Sequence, residues 1–161
     1  MSIYVFGYGS LINMKKNKEL INCGKRRNCP VSVKGLKRSL NIASAINNLR
    51  FFGVKNNKNA LCNGVLFKVN ELELDKLIKR EGLYTLTKLA KNRIVFNYNK
   101  QISFNPEDKI IFFYPNPNAV LSKSKLSSKK VSPEYFKNCL EGSAEISKSF
   151  LKDFITTSNL L

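Results

Sequence analysis

What most limits the fold of this chain is the order of its short apolar runs. Ile3 to Phe6, Arg93 to Tyr98 and Lys109 to Tyr114 are rich in β-branched and aromatic residues, as strands are. PVSVKGLKRSLNIA at 30–43 reads as one strand interrupted at Gly35 by a bulge. Arg50 to Val54 and LCNGVLFKV at 61–69 read as two more, joined through the turn-forming NNKN at 56–59. Helices are expected in three places. One is short, over 11–22. A second spans 71–81, with Asn70 as N-cap, Glu71 and Glu73 in the first turn and Gly82 as the stop. The last is capped by Ser132 with Pro133 at its first position, and carries Tyr135, Cys139, Ile146, Phe150 and Phe154 on one face. NPED at 105–108 reads as a turn, and 114–131 as a long polar loop. Strands outnumber helices and do not alternate with them regularly. The pattern predicts an α+β domain with a mixed or mostly antiparallel sheet, open or closed into a barrel.

A chain of 161 residues is expected to be one domain, residues 1–161, able to bury a core without disulfides or metal. The four cysteines, Cys23, Cys29, Cys62 and Cys139, show no C-x-x-C spacing, and there is no histidine to complete a zinc set. They read as reduced packing thiols. No apolar stretch approaches the ~20 residues that span a bilayer, and Met1-Ser2-Ile3 leads straight into a strand-like run. A cytoplasmic protein with no membrane partner is expected.

Charge leaves two readings open. Lys and Arg number 28 against 11 Asp and Glu, a net +17, which favours a polyanionic partner such as nucleic acid. The lysines are scattered, however, often beside asparagine, as in KNNKN at 55–59 and LSKSKLSSKK at 121–130. That pattern equally fits a solvated surface, since it forms neither a basic helix nor a stacking platform.

The absence of histidine excludes a Ser-His-Asp triad, a Cys-His pair and a histidine base together. Acid–base chemistry must fall to a carboxylate, lysine, tyrosine or cysteine. Helix starts, turns and lysine-rich helix surfaces explain the other ten carboxylates. Glu81 differs: Leu74, Leu77, Ile78 and Glu81 stand at i, i+3, i+4 and i+7, so the apolar stripe carries this carboxylate inward. It is either a last-turn residue paired with a nearby cation or a desolvated acid with a raised pKa, able to accept and return a proton near neutrality.

A second feature is the glycine pair of IYVFGYGSL at 3–11. It is either a strand-ending turn with Tyr8 in the core or a loop whose backbone approaches an anion. The third glycine of a dinucleotide fingerprint is missing, and no Lys-Ser/Thr follows to make a phosphate loop.

VFGYGSL at 5–11, PVSVKGLKRSLN at 30–41, GVLFKV at 64–69, REGLY at 80–84 and SPEYFKNCLEGSAEISKSFLKDFITT at 132–157 together resemble the γ-glutamylcyclotransferase superfamily. The resemblance implies a small mixed, mostly antiparallel β-barrel flanked by helices, with the glycine-rich loop and the glutamate meeting in one cavity. It implies that Gly7, Tyr8, Gly9, Ser10 and Leu11 bind the γ-glutamyl end of a small-molecule substrate and that Glu81 is the general acid/base. Tyr84 and Tyr135 would line the pocket, or serve as amphipathic core residues. The implied reaction releases 5-oxoproline and a free amine, with neither metal nor organic cofactor. The alternative is a non-catalytic module of the same fold that binds an anionic partner such as nucleic acid. Ile78 stands where such sequences often carry Asp, and Thr85-Leu86 where arginines follow, so the leaving amine stays open.

Overall fold

The computed structural model describes residues 1–21, 28–43, 48–126 and 128–159. At its centre β1 (Ile3–Gly7) buries Val5 and Phe6 completely. It runs antiparallel to β3 (Leu49–Val69), with Val5 opposite Phe67, and parallel to β6 (Lys109–Pro115), with Val5 opposite Ile111. β2 (Cys29–Ala43) pairs antiparallel with β3, and β5 (Ile94–Val95) with β2. β4 (Tyr84–Lys88) pairs antiparallel with β6. The order is β4-β6-β1-β3-β2-β5, with β7 (Lys130–Val131) added parallel to the start of β3.

This is the expected α+β class, but the sheet does not close. β4 and β5 are its outer strands and do not pair with each other among the described residues. The expected strand over 93–98 keeps only Ile94 and Val95 in the ladder. Beyond them side chains take over: Asn97 donates to Ser32 Oγ (3.1 Å), the Tyr98 hydroxyl to Asp153 (2.5 Å), and Phe96 packs on Phe104.

Further expectations need correction. NNKN does not reverse the chain. Residues on both sides of it pair with the same strand in the same sense, Lys37 with Lys55 and Lys34 with Leu61, so 57–60 are an excursion opposite Gly35 within one long strand. Gly35 itself takes φ +83°, which glycine tolerates and which re-phases β2 as expected. The helix expected over 11–22 is a 3-10 turn at Ser10–Ile12 followed by turns as far as Leu20; position 22 and Cys23 lie outside the described residues. Asparagine side chains compete with the helical ladder there: Asn17 Nδ2 donates to the carbonyls of Ser10 (2.9 Å) and Asn13 (2.7 Å). The expected loop 114–131 holds a 3-10 turn at Pro117–Ala119, the short α2 (Lys123–Leu126) and β7.

α1 (Glu71–Arg80) starts as predicted, with a complete capping box between Asn70 and Glu73. It stops one residue early, at Glu81, which is its C-cap (φ −91°, ψ 49°). Gly82 does not take the left-handed conformation expected of a helix stop. The final helix is two, α3 (Pro133–Ile146) and α4 (Lys148–Thr157), because Ser147 is extended and its Oγ accepts the Phe150 N–H at 3.0 Å. α4 seals the core: Phe150 and Phe154 expose no surface, and Phe154 meets Phe52 of β3 edge-on at 5.5 Å. Each such ring contributes about 1.5–3 kcal/mol by burial. No helix among the described residues is long and apolar enough to cross a membrane.

Candidate active site

The chain leaves β1 through Gly7 and turns at Gly9 into the 3-10 turn. Both glycines are sites of close approach. A Cβ on Gly7 would lie 2.7 Å from Leu11 Cβ, and one on Gly9 would lie 2.9 Å from the Tyr135 hydroxyl. The first acceptors used by the turn are the carbonyls of Gly9 and Ser10, which bind the N–H groups of Ile12 (3.0 Å) and Asn13 (3.1 Å). The N–H groups of Gly9, Ser10 and Leu11 meet no backbone carbonyl among the described residues. Three consecutive residues whose N–H groups bind no backbone carbonyl among the described residues thus stand on the wall of a cavity of about 220 Å³.

The loop is held from behind by Arg38 of β2. Its Nε donates to the Tyr8 carbonyl at 2.7 Å, Nη1 to Thr157 Oγ1 (3.0 Å) and Ser158 Oγ (2.9 Å), and Nη2 to both oxygens of Asn63. The guanidinium also lies 4.0 Å above the Phe154 ring. Arg38 exposes no surface and these acceptors are neutral, so among the described residues hydrogen bonds and the ring face stabilise the cation. Tyr8 is pinned at its other end, its hydroxyl donating to the Phe113 carbonyl of β6 at 2.6 Å.

Glu81 enters the same cavity from the end of α1. Its N–H bonds the Leu77 carbonyl (2.9 Å), and its own carbonyl accepts from Tyr84 (3.0 Å), so the residue is fixed on both sides. Its side chain is only 15% exposed. Burial pushes its pKa up, and the adjacent Arg80 partly opposes this. Ile78 is more exposed than the helical stripe implied, whereas Leu77 is fully buried. The inward placement of Glu81 therefore depends on its position past the helix end, beside Leu77, more than on a continuous stripe.

Arg80 closes the rim. Its Nε lies 3.9 Å from Glu81 Oε1, Nη2 donates to Ser10 Oγ at 3.0 Å, and Nη1 donates to Asn17 Oδ1. Ser10 thus accepts from a cation, which suits binding more than nucleophilic attack. Tyr84 and Tyr135 bracket Phe52. Tyr84 donates its hydroxyl proton to the Phe52 carbonyl (2.7 Å), and the Phe52 N–H donates to the Tyr135 hydroxyl (3.2 Å). Burial raises both phenols, which stay protonated. Cys139, one turn beyond Tyr135, is pushed up to about 12 by burial and is no thiolate nucleophile. Cys29 and Cys62 are likewise free and buried.

Of the expected site residues, Tyr8, Gly9, Ser10, Leu11, Glu81, Tyr84 and Tyr135 line this one cavity; Gly7 sits behind it, against Leu11 and Phe67. Sequence reasoning missed the apolar walls from Phe51, Phe52 and Phe113, the rim residue Arg80 and the buried Arg38. Arg80 had a signal, since it adjoins Glu81. Arg38 had none, because an arginine in a lysine-rich strand reads as surface. Among the described residues no three His, Cys, Asp or Glu side chains gather as a metal set.

No protein-family model and no curated protein sequence matches the chain. Solved structures do. A γ-glutamyl cyclotransferase superposes with a TM-score of 0.70 at 15% identity, covering 96% of this chain and 86% of that one. An uncharacterized protein from Homo sapiens gives 0.70 at 16% identity, covering 95% and 86%. A yeast γ-glutamyl cyclotransferase described as specific to glutathione gives 0.63 at 16% identity, covering 99% and 96%. The chain has the γ-glutamyl cyclotransferase-like fold.

Proposed function

We propose that the protein is a γ-glutamylcyclotransferase-type enzyme with Glu81 as its general acid/base. The observation that carries this reading is the meeting on one cavity of a desolvated carboxylate and three N–H groups that bind no backbone carbonyl among the described residues, in the fold of γ-glutamyl cyclotransferases.

The reaction requires a substrate folded so that its α-nitrogen faces its own γ-carbonyl. The aromatic walls favour that compact conformer, which supplies the proximity advantage. Ionised Glu81 takes a proton from the α-ammonium. The freed amine forms a C–N bond to the γ-carbon, and negative charge develops on the carbonyl oxygen. N–H groups of Gly9, Ser10 and Leu11 are available to receive that charge or the substrate carboxylate, and need no rearrangement because Arg38 fixes the loop. The amide C–N bond breaks as the protonated Glu81 returns its proton to the departing nitrogen; the ring nitrogen then gives up its second proton to the freed amine, and 5-oxoproline and the amine, as its ammonium, leave. The raised pKa suits both halves of this transfer. Tyr135 accepts from the Phe52 N–H, whereas Tyr84 has committed its proton to the Phe52 carbonyl.

The test is to incubate the purified protein with a panel of γ-glutamyl amino acids, γ-glutamyl peptides and γ-glutamyl amines. The reading expects 5-oxoproline and amine in one-to-one ratio from at least one member. Hydrolysis to free glutamate in its place would overturn it.

A further inference from the structure

The strongest feature outside the cavity is the cationic surface of the β2–β3 ribbon. Residues 20–70 contain no Asp or Glu, and neither do residues 82–106, so β2, β3 and β5 carry no carboxylate at all. The fold gathers lysines that the sequence scatters. Before the bulge Val31 and Val33 are buried; after it Leu36 and Arg38 are, so Gly35 shifts the alternation by one residue. Lys34 and Lys37 thereby fall on the same outer face, one on each side of the bulge. Lys55 stands directly opposite Lys37 across the ladder, and Lys58 projects from the excursion at 57–60. Arg93 lies across the bulge, its Nε donating to the Lys34 carbonyl at 2.9 Å and its Nη2 3.2 Å from where a Gly35 Cβ would be.

Five cations from three segments thus share one patch. The ion pairs of the described residues lie elsewhere, as Lys15–Glu145, Lys137–Glu141, Arg80–Glu81 and Met1–Glu107. On α3, Glu141 and Glu145 each take a lysine partner. On the ribbon like charges face each other with Cβ atoms about 5 Å apart, a destabilising arrangement. Guarding an open edge takes one lysine on the edge strand and does not explain a second one opposite it.

We propose that this face docks the phosphate backbone of duplex nucleic acid. Because the bulge absorbs one residue, Lys34 and Lys37 lie about two strand steps apart, roughly 7 Å, close to two base steps of a duplex. Asn57 and Asn59, on the excursion, add amide donors beside them. Among the described residues the large apolar side chains most exposed are Met1, Leu61, Leu72, Ile78, Leu86 and Val120, none aromatic, so the patch offers no exposed stacking ring there. That favours stacked duplex over splayed single strands. The docking requires nothing of the cavity.

The test compares two variants of equal net charge, K34Q/K37Q/K55Q/K58Q on the ribbon and K76Q/K79Q/K148Q/K152Q on exposed helix surfaces. Binding to a fluorescent duplex of about 20 base pairs is followed by anisotropy between about 50 and 200 mM salt. The log–log salt slope should fall by about 0.9 for each contact removed, so by about 3 to 4 for the ribbon variant, and by less than about 1 for the helix variant. Cyclisation by the ribbon variant should equal that of the wild type. Equal losses in the two variants would reduce the effect to net charge, and unchanged duplex binding by the ribbon variant would place docking elsewhere. Ribbon-dependent binding to phosphatidylserine vesicles in preference to either DNA or RNA duplex would assign the face to a membrane. Any of the three overturns the proposal.

Discussion

Arg80 binds Ser10 across the mouth of the cavity, its Nη2 3.0 Å from the serine Oγ, while its Nε remains 3.9 Å from the carboxylate of Glu81. One side chain therefore ties the donor loop to the acid and lowers the pKa that burial raises. In Arg80→Met the acidic limb of the kcat/KM profile should move to higher pH, because burial then acts on Glu81 unopposed. KM should rise several-fold as the loop loses its tether. A pH–rate series on both proteins checks this, and an unshifted limb would separate Arg80 from the titration.

Glu81→Gln should reduce turnover by about 10² to 10⁴, the range of a lost general base. It should also stabilise the protein at neutral and alkaline pH. The folded-state pKa of Glu81 lies above its unfolded value, so between the two the native state holds more protons and stability falls as pH rises. Glutamine avoids that loss. The difference in Tm between variant and wild type should therefore be positive at pH 8, shrink as pH falls through the raised pKa, and vanish below the ordinary carboxylate range. Thermal unfolding across that series tests the sign.

Arg38→Met leaves the Tyr8 carbonyl, both Asn63 oxygens and the hydroxyls of Thr157 and Ser158 without their buried donor. Each buried orphan costs about 1–3 kcal/mol, so a loss of about 3 kcal/mol or more is expected from urea unfolding. Arg38→Lys keeps the charge but lacks the planar fork and should recover only part of it.

Gly9→Ala places a methyl group 2.9 Å from the Tyr135 hydroxyl and should depress activity about tenfold or more by displacing the loop. Removing that oxygen makes room. The double variant Gly9→Ala/Tyr135→Phe should lose less than the sum of the two single losses, a coupling read from a double-mutant cycle.

Much of this site was legible because its parts lie in contiguous, chemically unusual segments. YGSL signals its turn through glycine, and Glu81 stands out as the carboxylate that neither a helix start nor a surface pair explains. What stayed hidden depends on contacts between distant segments. Arg38 looks like one more surface cation until Asn63, Phe154 and Ser158 enclose it, from 25 to 120 positions away. Tyr84–Lys88 has no apolar run because it is a largely exposed edge strand, held by its ladder to β6. NNKN carries turn chemistry, yet partner register with β2 keeps the chain running straight through it. The break at Ser147 is local chemistry that the helical periodicity of Tyr135, Cys139 and Phe150 concealed.

The most direct measurement is an amide and carboxyl NMR titration of the protein with 5-oxoproline, the product the cavity is proposed to form. Saturable shifts should concentrate on the N–H groups of Gly9, Ser10 and Leu11, together with the side-chain carboxyl carbon of Glu81. Saturable binding that leaves those four resonances in place, or no binding where cyclisation is seen, would contradict a shared site for the loop and the acid.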